Sequence, residues 1–443
     1  MEENKKYGLL TSITMIMGIV IGSGIFFKAD DVLSYTNGNM LLGILIFVIA
    51  AIAIIFGCLS ISLLATKTDK PGGIISYAEE FVNKETSSAF GWFQVFLYMP
   101  ALIAIVGFIS ALYIFQLFGI DASSLQMVIL GTIIFSVIFL LNILSSKLGG
   151  YFQNIAMLFK LIPLILIVIF GFVKGNPVEV LNADVNALKE GAVGLGILAA
   201  FGPIAFSFDG WVVSTSISNE IKNSKRNLPL ALIISPILVL ILYVLYFIGI
   251  SVLVGPEEVL SLGNESLNKA ANIIFGNFGA KAILIFVIIS VLGTCNGLIL
   301  GFIRLPHSLA IRNMLPFSKT ISQKKSNGTL LNSAIFCYIL ALIWMVIHYF
   351  YDKSGLPGDI GEIAITVSYF NYSILYITII KLTVKGEIKN KFMGYFCPIM
   401  AMIGSIIILL GGISNKLFIY YVLICLSVML IGYLYTKFKL KEQ

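Results

Sequence analysis

Apolar runs long enough to cross a lipid bilayer govern what this chain can fold into. About twelve of them, each near the roughly 20 residues that a helical span needs, fall at 8–36, 40–66, 87–118, 126–145, 152–173, 192–219, 229–254, 279–310, 331–350, 360–383, 393–412 and 417–437. Hydrocarbon offers the backbone no hydrogen-bond partner, so each run is expected to be a helix, which satisfies its own amides. Composition agrees: 58% of the 443 residues are hydrophobic and only 12% charged, against roughly 25% charged in soluble proteins. The expected fold class is an all-α polytopic membrane protein. The first run is too long, and too closely followed by further spans, to read as a cleaved signal peptide.

Lysine and arginine set the orientation. With the N-terminus in the cytoplasm, 21 of the 29 basic residues fall in cytoplasmic segments, seven fall outside and Lys160 lies within a span. Both termini are therefore expected in the cytoplasm, with the chain in the cell membrane. The net charge of +7 is spread over short segments, a topogenic pattern that predicts no nucleic-acid partner. Cys58, Cys295, Cys337, Cys397 and Cys425 lie in apolar runs without a CxxC pair, so neither a disulfide framework nor a metal site is expected. His307 and His348 have no partner at ligand spacing, and no nucleophile–base pair is visible. No cofactor and no enzymatic chemistry are expected.

Two runs are interrupted. Gly22-Ser23-Gly24 breaks the first within "GIVIGSGIFF" (18–27), and "AFGPIAFSFDGWVVSTSISNE" (200–220) is cut at Asp209-Gly210, after Gly202-Pro203. Non-helical backbone at membrane depth persists only where protein or a water-filled cavity satisfies it, and Asp is costly there unless it faces water or a partner. Taken alone, the glycines fit close helix packing as well. The breaks fall in spans one and six, so a five-span repeat places the second copy upside down relative to the first. Paired discontinuities of that kind point to a transporter site at the membrane midplane. The half-helix from Ser23 would aim free amides at a carboxylate, and those ending near Ile21 and Phe208 would aim carbonyls at an ammonium. A molecule carrying both groups is an α-amino acid, although betaines, polyamines and other small charged solutes satisfy parts of the pattern.

"GIVIGSGIF" (18–26), "DKPGGIISYAEEF" (69–81), "FSFDGW" with "NEIKNSKRNLPLAL" (206–232) and "GTCNGLILGFIRLPHSLAIRNMLP" (293–316) together resemble the amino acid/polyamine/organocation superfamily. The nearest likeness is to its L-type amino acid transporter group, including bacterial serine/threonine and alanine/serine/cysteine exchangers. The match covers spans one to eight, in order and spacing. It implies a leucine-transporter-like fold with a first five-helix repeat over 1–175, a second, inverted one over 190–385, discontinuous helices 1 and 6, and two additional helices over 390–443. It also implies alternating access, with one L-amino acid bound between spans one and six. Carried over, the substrate carboxylate should meet Ser23, Gly24 and Ile25, and the ammonium should meet carbonyls at Val20, Phe206 and Asp209. Ile21, Ser207 and Trp211 join them as candidate binding residues, and Phe206 resembles an aromatic gate over the substrate. Two departures stand out: Val212 replaces an Asn of several members, and Asp209 replaces a small residue of many animal members. The Asp209 carboxylate either favours an amino group, caps the break or takes a proton.

Lys160 is the only basic residue deep in a span, where burying its charge costs about 2.5–3.5 kcal/mol on insertion scales unless it pairs, snorkels to the interface or is neutral. The resemblance implies that it stands where sodium-coupled relatives hold a sodium ion and reaches the broken part of span one, a coupling role. Asn296, in span eight, is a possible cavity-lining residue, and Pro229 is expected at a helix start. "GIDASSL" (119–125) has no Cys where animal heteromeric members bond a single-span glycoprotein, so no such disulfide-linked partner is expected. The leading expectation is sodium-independent exchange of small neutral L-amino acids: alanine, serine, threonine and cysteine. A proton-coupled symporter, an exchanger of larger or charged amino acids, and an amino acid receptor on a transporter fold are the alternatives.

Overall fold

A computed structural model describes residues 7–22, 24–27, 29–68, 70–189, 195–213, 215, 221–325, 328–355, 360–413 and 417–441. Among them ten helices are long and apolar enough to cross a membrane: Met40–Lys67, Lys84–Phe118, Ser124–Leu144, Leu148–Lys174, Ser224–Val254, Phe278–Ala310, Leu331–Lys353, Ala364–Val384, Phe392–Gly412 and Phe418–Leu440. Two shorter apolar helices, Leu9–Val20 and Leu198–Val213, stand where spans one and six were expected. Both are short because their runs are broken. No strand occurs among the described residues, and a lone parallel bridge joins Tyr7 to Ile221.

Burial divides the spans into an inner set and a lipid-facing set. The most apolar windows of spans three and eight are 83% and 78% buried, whereas those of spans four and twelve are 28% and 22% buried. Helices apolar all round with so little protein cover suit acyl chains as their neighbours. The half-helix Leu9–Val20 packs against spans five, seven and eight, and its counterpart Phe201–Ser207 against spans two, ten and eleven. Small residues bring backbones together: a Cβ on Gly171 would lie 2.5 Å from Gly249 O, and one on Gly131 2.7 Å from Gly107 O. Spans five and seven, and spans three and four, therefore touch main chain to main chain.

Proline placement explains two local features. Span three contains a π-helical turn at Gln94–Tyr98, directly before Pro100. Pro100 has no amide to offer the carbonyl four residues back, and that carbonyl, on Phe96, instead accepts a 2.8 Å bond from Trp344 Nε1 of span nine. Span seven starts at Ser224, so Pro229 lies more than one turn inside the helix and not at its start. The amides of Arg226 and Asn227 fold back on Asn223 O and begin the helix early. The carbonyl four residues before Pro229, which its ring nitrogen cannot serve, belongs to the exposed Lys225.

A short helix, Ile74–Phe81, follows span two, and Arg312 clasps it to the end of span eight. The guanidinium spends all five N–H groups: Nε on Glu79 Oε2 at 2.6 Å, Nη1 on Ser308 O at 2.8 Å and Ser308 Oγ at 2.7 Å, Nη2 on Pro71 O at 3.0 Å and Ser76 Oγ at 2.9 Å. Gly72, at φ +118°, has Ser308 Oγ where a Cβ would stand, so a side chain there is strained and without space. Arg312→Ala is expected to cost about 2 kcal/mol, less than the about 3–5 kcal/mol of a fully buried pair, because the Glu79 side chain keeps 17% exposure. Arg312→Lys lacks the fork and should recover less than half of that loss. Thermal unfolding in detergent checks both; an Arg312→Ala protein as stable as the parent would remove the clasp from this account.

Candidate functional site

Span one unwinds after Val20. Ile21 N–H still reaches Met17 O at 2.7 Å, Gly22 N–H turns back to Val20 O at 2.8 Å, and helix resumes at Gly24–Phe27. Span six unwinds after Ser207. Phe208 N–H bonds Ile204 O at 3.1 Å, Asp209 N–H bonds Phe206 O at 3.2 Å, and Gly210 takes φ +94°. Its left-handed backbone comes with no space for a side chain: a Cβ there would stand 2.5 Å from Ile19 Cγ2. The two breaks thus interlock, glycine against span one.

A helix end leaves carbonyls without partners, and Lys160 takes two of them. Its ammonium donates to Gly18 O at 2.5 Å, Ile21 O at 2.6 Å and Thr294 Oγ1 of span eight at 2.8 Å. Three donors meet three acceptors, and a cation at a helix C-terminus is favourable against the dipole. Lys160 is fully buried; it pairs with the break and does not snorkel.

Tyr243 of span seven joins the two breaks. Its hydroxyl lies 2.9 Å from Val20 O and 3.0 Å from Ser207 O. A hydroxyl has one proton, so it can serve only one of these carbonyls at a time. The other keeps a lone pair for another donor.

Ile19, Val20, Gly22, Gly24, Leu102, Val106, Phe206, Asp209, Gly210, Thr294, Leu298 and Ile365 enclose a cavity beside the breaks, with about 350 Å³ between their atoms, its mouth included. Most of the wall is aliphatic. Asp209 brings a carboxylate, on whose Oδ2 the Tyr98 hydroxyl of span three donates at 2.5 Å. Apolar walls with a few convergent polar groups are the usual form of a small-molecule site. Among the described residues, no group of three or more His, Cys, Asp or Glu side chains is placed to hold a metal ion.

The family described as amino acid permease matches residues 7–436. The chain belongs to that family. It is 31% identical over 410 residues to the serine/threonine exchanger SteT of Bacillus subtilis (strain 168), covering 91% of this chain and 90% of that protein. It is 28% identical over 459 residues to the b(0,+)-type amino acid transporter 1 of Mus musculus, covering 98% and 88%. The crystal structure of MhsT in complex with L-phenylalanine superposes with a TM-score of 0.63 over 92% of this chain and 98% of that one, at 14% identity. That likeness carries the leucine-transporter-like fold. The chain is a transporter of amino acids, not an enzyme.

In this permease, four of the residues picked from sequence line the cavity: Val20, Gly24, Phe206 and Asp209. Ser23 lies outside the described residues. Ile21 gives its carbonyl to Lys160. Ile25 is fully buried, and Ser207 turns its hydroxyl to Pro203 O at 3.0 Å within its own helix. Trp211 packs its ring 5.4 Å from that of Tyr372. Asn296 belongs to a buried polar bridge: it accepts from Asn142 Nδ2 at 2.9 Å and donates to Gly149 O at 3.0 Å and Gln153 Oε1 at 3.1 Å. Sequence reasoning missed Thr294, Tyr243, Tyr98, Leu102, Val106, Leu298 and Ile365. Only Thr294 had a visible signal, a polar residue between glycines in "GTCNG" (293–297).

Proposed function

We propose that this permease exchanges small neutral L-amino acids, of the alanine, serine, threonine and cysteine kind, without sodium. The observation that carries the reading is the ammonium of Lys160 on the carbonyls of Gly18 and Ile21: a fixed cation occupies the acceptors that a sodium ion would need. The substrate carboxylate is assigned to the amides of Ser23, Gly24 and Ile25, at the positive end of the resumed helix. The ammonium is assigned to the negative ends of the two unwound helices, where Tyr243 leaves one of Val20 O and Ser207 O a free lone pair. Leu102, Val106, Leu298 and Ile365 favour a short, uncharged side chain, and the name of the Bacillus subtilis relative agrees.

The packing supports a five-plus-five arrangement over 1–175 and 190–385, followed by two helices over 390–443: span one rests on spans five and seven, and span six on spans ten and two. Exchanging each span number with the one five away converts the first statement into the second. The charge bias supports both termini in the cytoplasm, and the absence of Cys from "GIDASSL" (119–125) supports a carrier in the cell membrane without a disulfide-linked partner.

A second reading has its own observation. The Asp209 carboxylate in the cavity wall suits a proton or a cationic side chain. Uptake of radiolabelled L-serine into proteoliposomes separates the two. Exchange requires strong uptake into vesicles preloaded with L-serine, L-alanine, L-threonine or L-cysteine, weak uptake into empty ones, and no response to sodium or to a pH gradient. Uptake into empty vesicles driven by the pH gradient would instead establish symport.

A further inference from the structure

We infer that Thr294 is a positioning residue through which an occupied cavity acts on Lys160, and so makes return of the empty carrier slow. The inference rests on the exchange reading above. An exchanger must rearrange when loaded and resist doing so when empty. A ligand biases such an equilibrium only by contacts that differ between the two states, so some group must touch both the substrate and whatever holds the moving helix.

Lys160 holds the end of the half-helix Leu9–Val20 but is not part of the cavity wall. Of its three partners, Gly18, Ile21 and Thr294, only Thr294 also lines the cavity. The Thr294 hydroxyl accepts from the ammonium at 2.8 Å, while the acceptors for its own proton, Ile21 O and Ser290 O, both lie at a long 3.4 Å. A hydroxyl rotates to suit its neighbours, and this one is poorly anchored on its donor side. It is also crowded. A Cβ at Gly22 would lie 2.8 Å from Thr294 Oγ1 and 3.0 Å from Thr294 Cγ2, so the unwound part of span one cannot move inward without pushing this side chain.

A substrate seated against Val20 and Gly22 therefore presses on Thr294 and fixes the rotation of its hydroxyl. That rotation sets how well Thr294 serves as the third acceptor for Lys160, and with it how firmly the ammonium holds Gly18 and Ile21. In the empty cavity nothing but the two long contacts orients it.

The test compares the wild type, Thr294→Ser and Thr294→Val in proteoliposomes, as the ratio of L-serine uptake into loaded and empty vesicles, with L-serine affinity measured on the purified protein. Thr294→Val removes the hydroxyl. Its ratio should fall roughly tenfold, the worth of one hydrogen bond to a charged group, and should fall by more than L-serine affinity does, because Thr294 also lines the cavity; the excess marks an effect on the conformational step beyond binding. Thr294→Ser should keep the wild-type ratio. Thr294→Ala, the second hydroxyl-free variant, replaces Thr294→Val if that protein does not elute as a single species. A hydroxyl-free variant with the wild-type ratio, or a Thr294→Ser protein as impaired as Thr294→Val, would overturn the inference while leaving exchange intact. A wild-type ratio near one would instead overturn the exchange reading, and this inference with it.

Discussion

Lys160→Met is expected to reduce amino acid exchange by at least about 100-fold while the protein still folds. Hydrogen bonds to a charged group contribute about 1.5–3 kcal/mol each, and two of those from Lys160 end on carbonyls of the unwound segment, Gly18 O and Ile21 O. Losing both releases the end of the half-helix from its place beside the cavity. Folding should suffer less than exchange: methionine spares the desolvation of a buried charge and adapts well to irregular gaps, which offsets part of the cost of leaving Gly18 O and Ile21 O without that donor. The measurement is counterflow in proteoliposomes together with thermal unfolding in detergent. Full exchange in Lys160→Met would show that the ammonium is structural only. A sodium-dependent uptake gained by the variant would strengthen the assignment, since the two carbonyls and the Thr294 hydroxyl would then be open to a cation.

Gly210→Ala is expected to destabilise the protein by about 2–4 kcal/mol and to abolish measurable exchange, adding backbone strain to overpacking. The φ of +94° at Gly210 suits glycine alone, and the added methyl would meet Ile19 Cγ2 at 2.5 Å. The two causes can be separated. Ile19→Ala combined with Gly210→Ala relieves the collision but not the dihedral strain, so the double variant should recover part of the stability and little of the transport. Thermal unfolding and counterflow on the two proteins decide the matter; a Gly210→Ala carrier with parental activity would mean that span six does not need this turn.

Both of these positions were legible in the sequence for the same reason: they violate the surrounding pattern. A lysine within "NIAMLFKLIPLILIVIF" (154–170) and an Asp-Gly within an apolar run are costly in hydrocarbon, and such costs persist where a site uses them. The cavity walls were not legible. Leu102, Val106, Leu298 and Ile365 sit in largely apolar spans whose few polar residues do not by themselves mark which side turns inward. Tyr243 is one of 19 tyrosines, and only the fold places its hydroxyl between Val20 and Ser207. Asn296 was the opposite case. A polar residue in an inner span pointed to the cavity, but its amide is consumed by Asn142, Gly149 and Gln153, because spans four, five and eight also need hydrogen bonds to hold one another in lipid.

The glycines of span one also change meaning. Packing and binding were set against each other as explanations of Gly22 and Gly24, and the geometry makes them one. A Cβ on Gly24 would stand 3.0 Å from Ser207 Cα and 3.1 Å from Phe206 Cδ1. The residue that permits an irregular backbone is thus the residue that lets the broken part of span six reach span one. Of the helices, Ile74–Phe81 escaped the hydropathy reading because it is short and carries Glu79 and Glu80. It is held against the end of span eight by a partner far away in sequence, Arg312.

In the proposed site the two broken spans read the α-carboxylate and the α-ammonium of one amino acid. Competition against radiolabelled L-serine counterflow, using L-serine methyl ester and N-acetyl-L-serine, tests it most directly. Each analogue removes one charge and keeps the side chain. Loss of charge-assisted hydrogen bonds at about 1.5–3 kcal/mol each predicts that both compete at least about 100-fold more weakly than L-serine. Either analogue competing as well as L-serine would contradict the claim for the half of the site that it fails to engage.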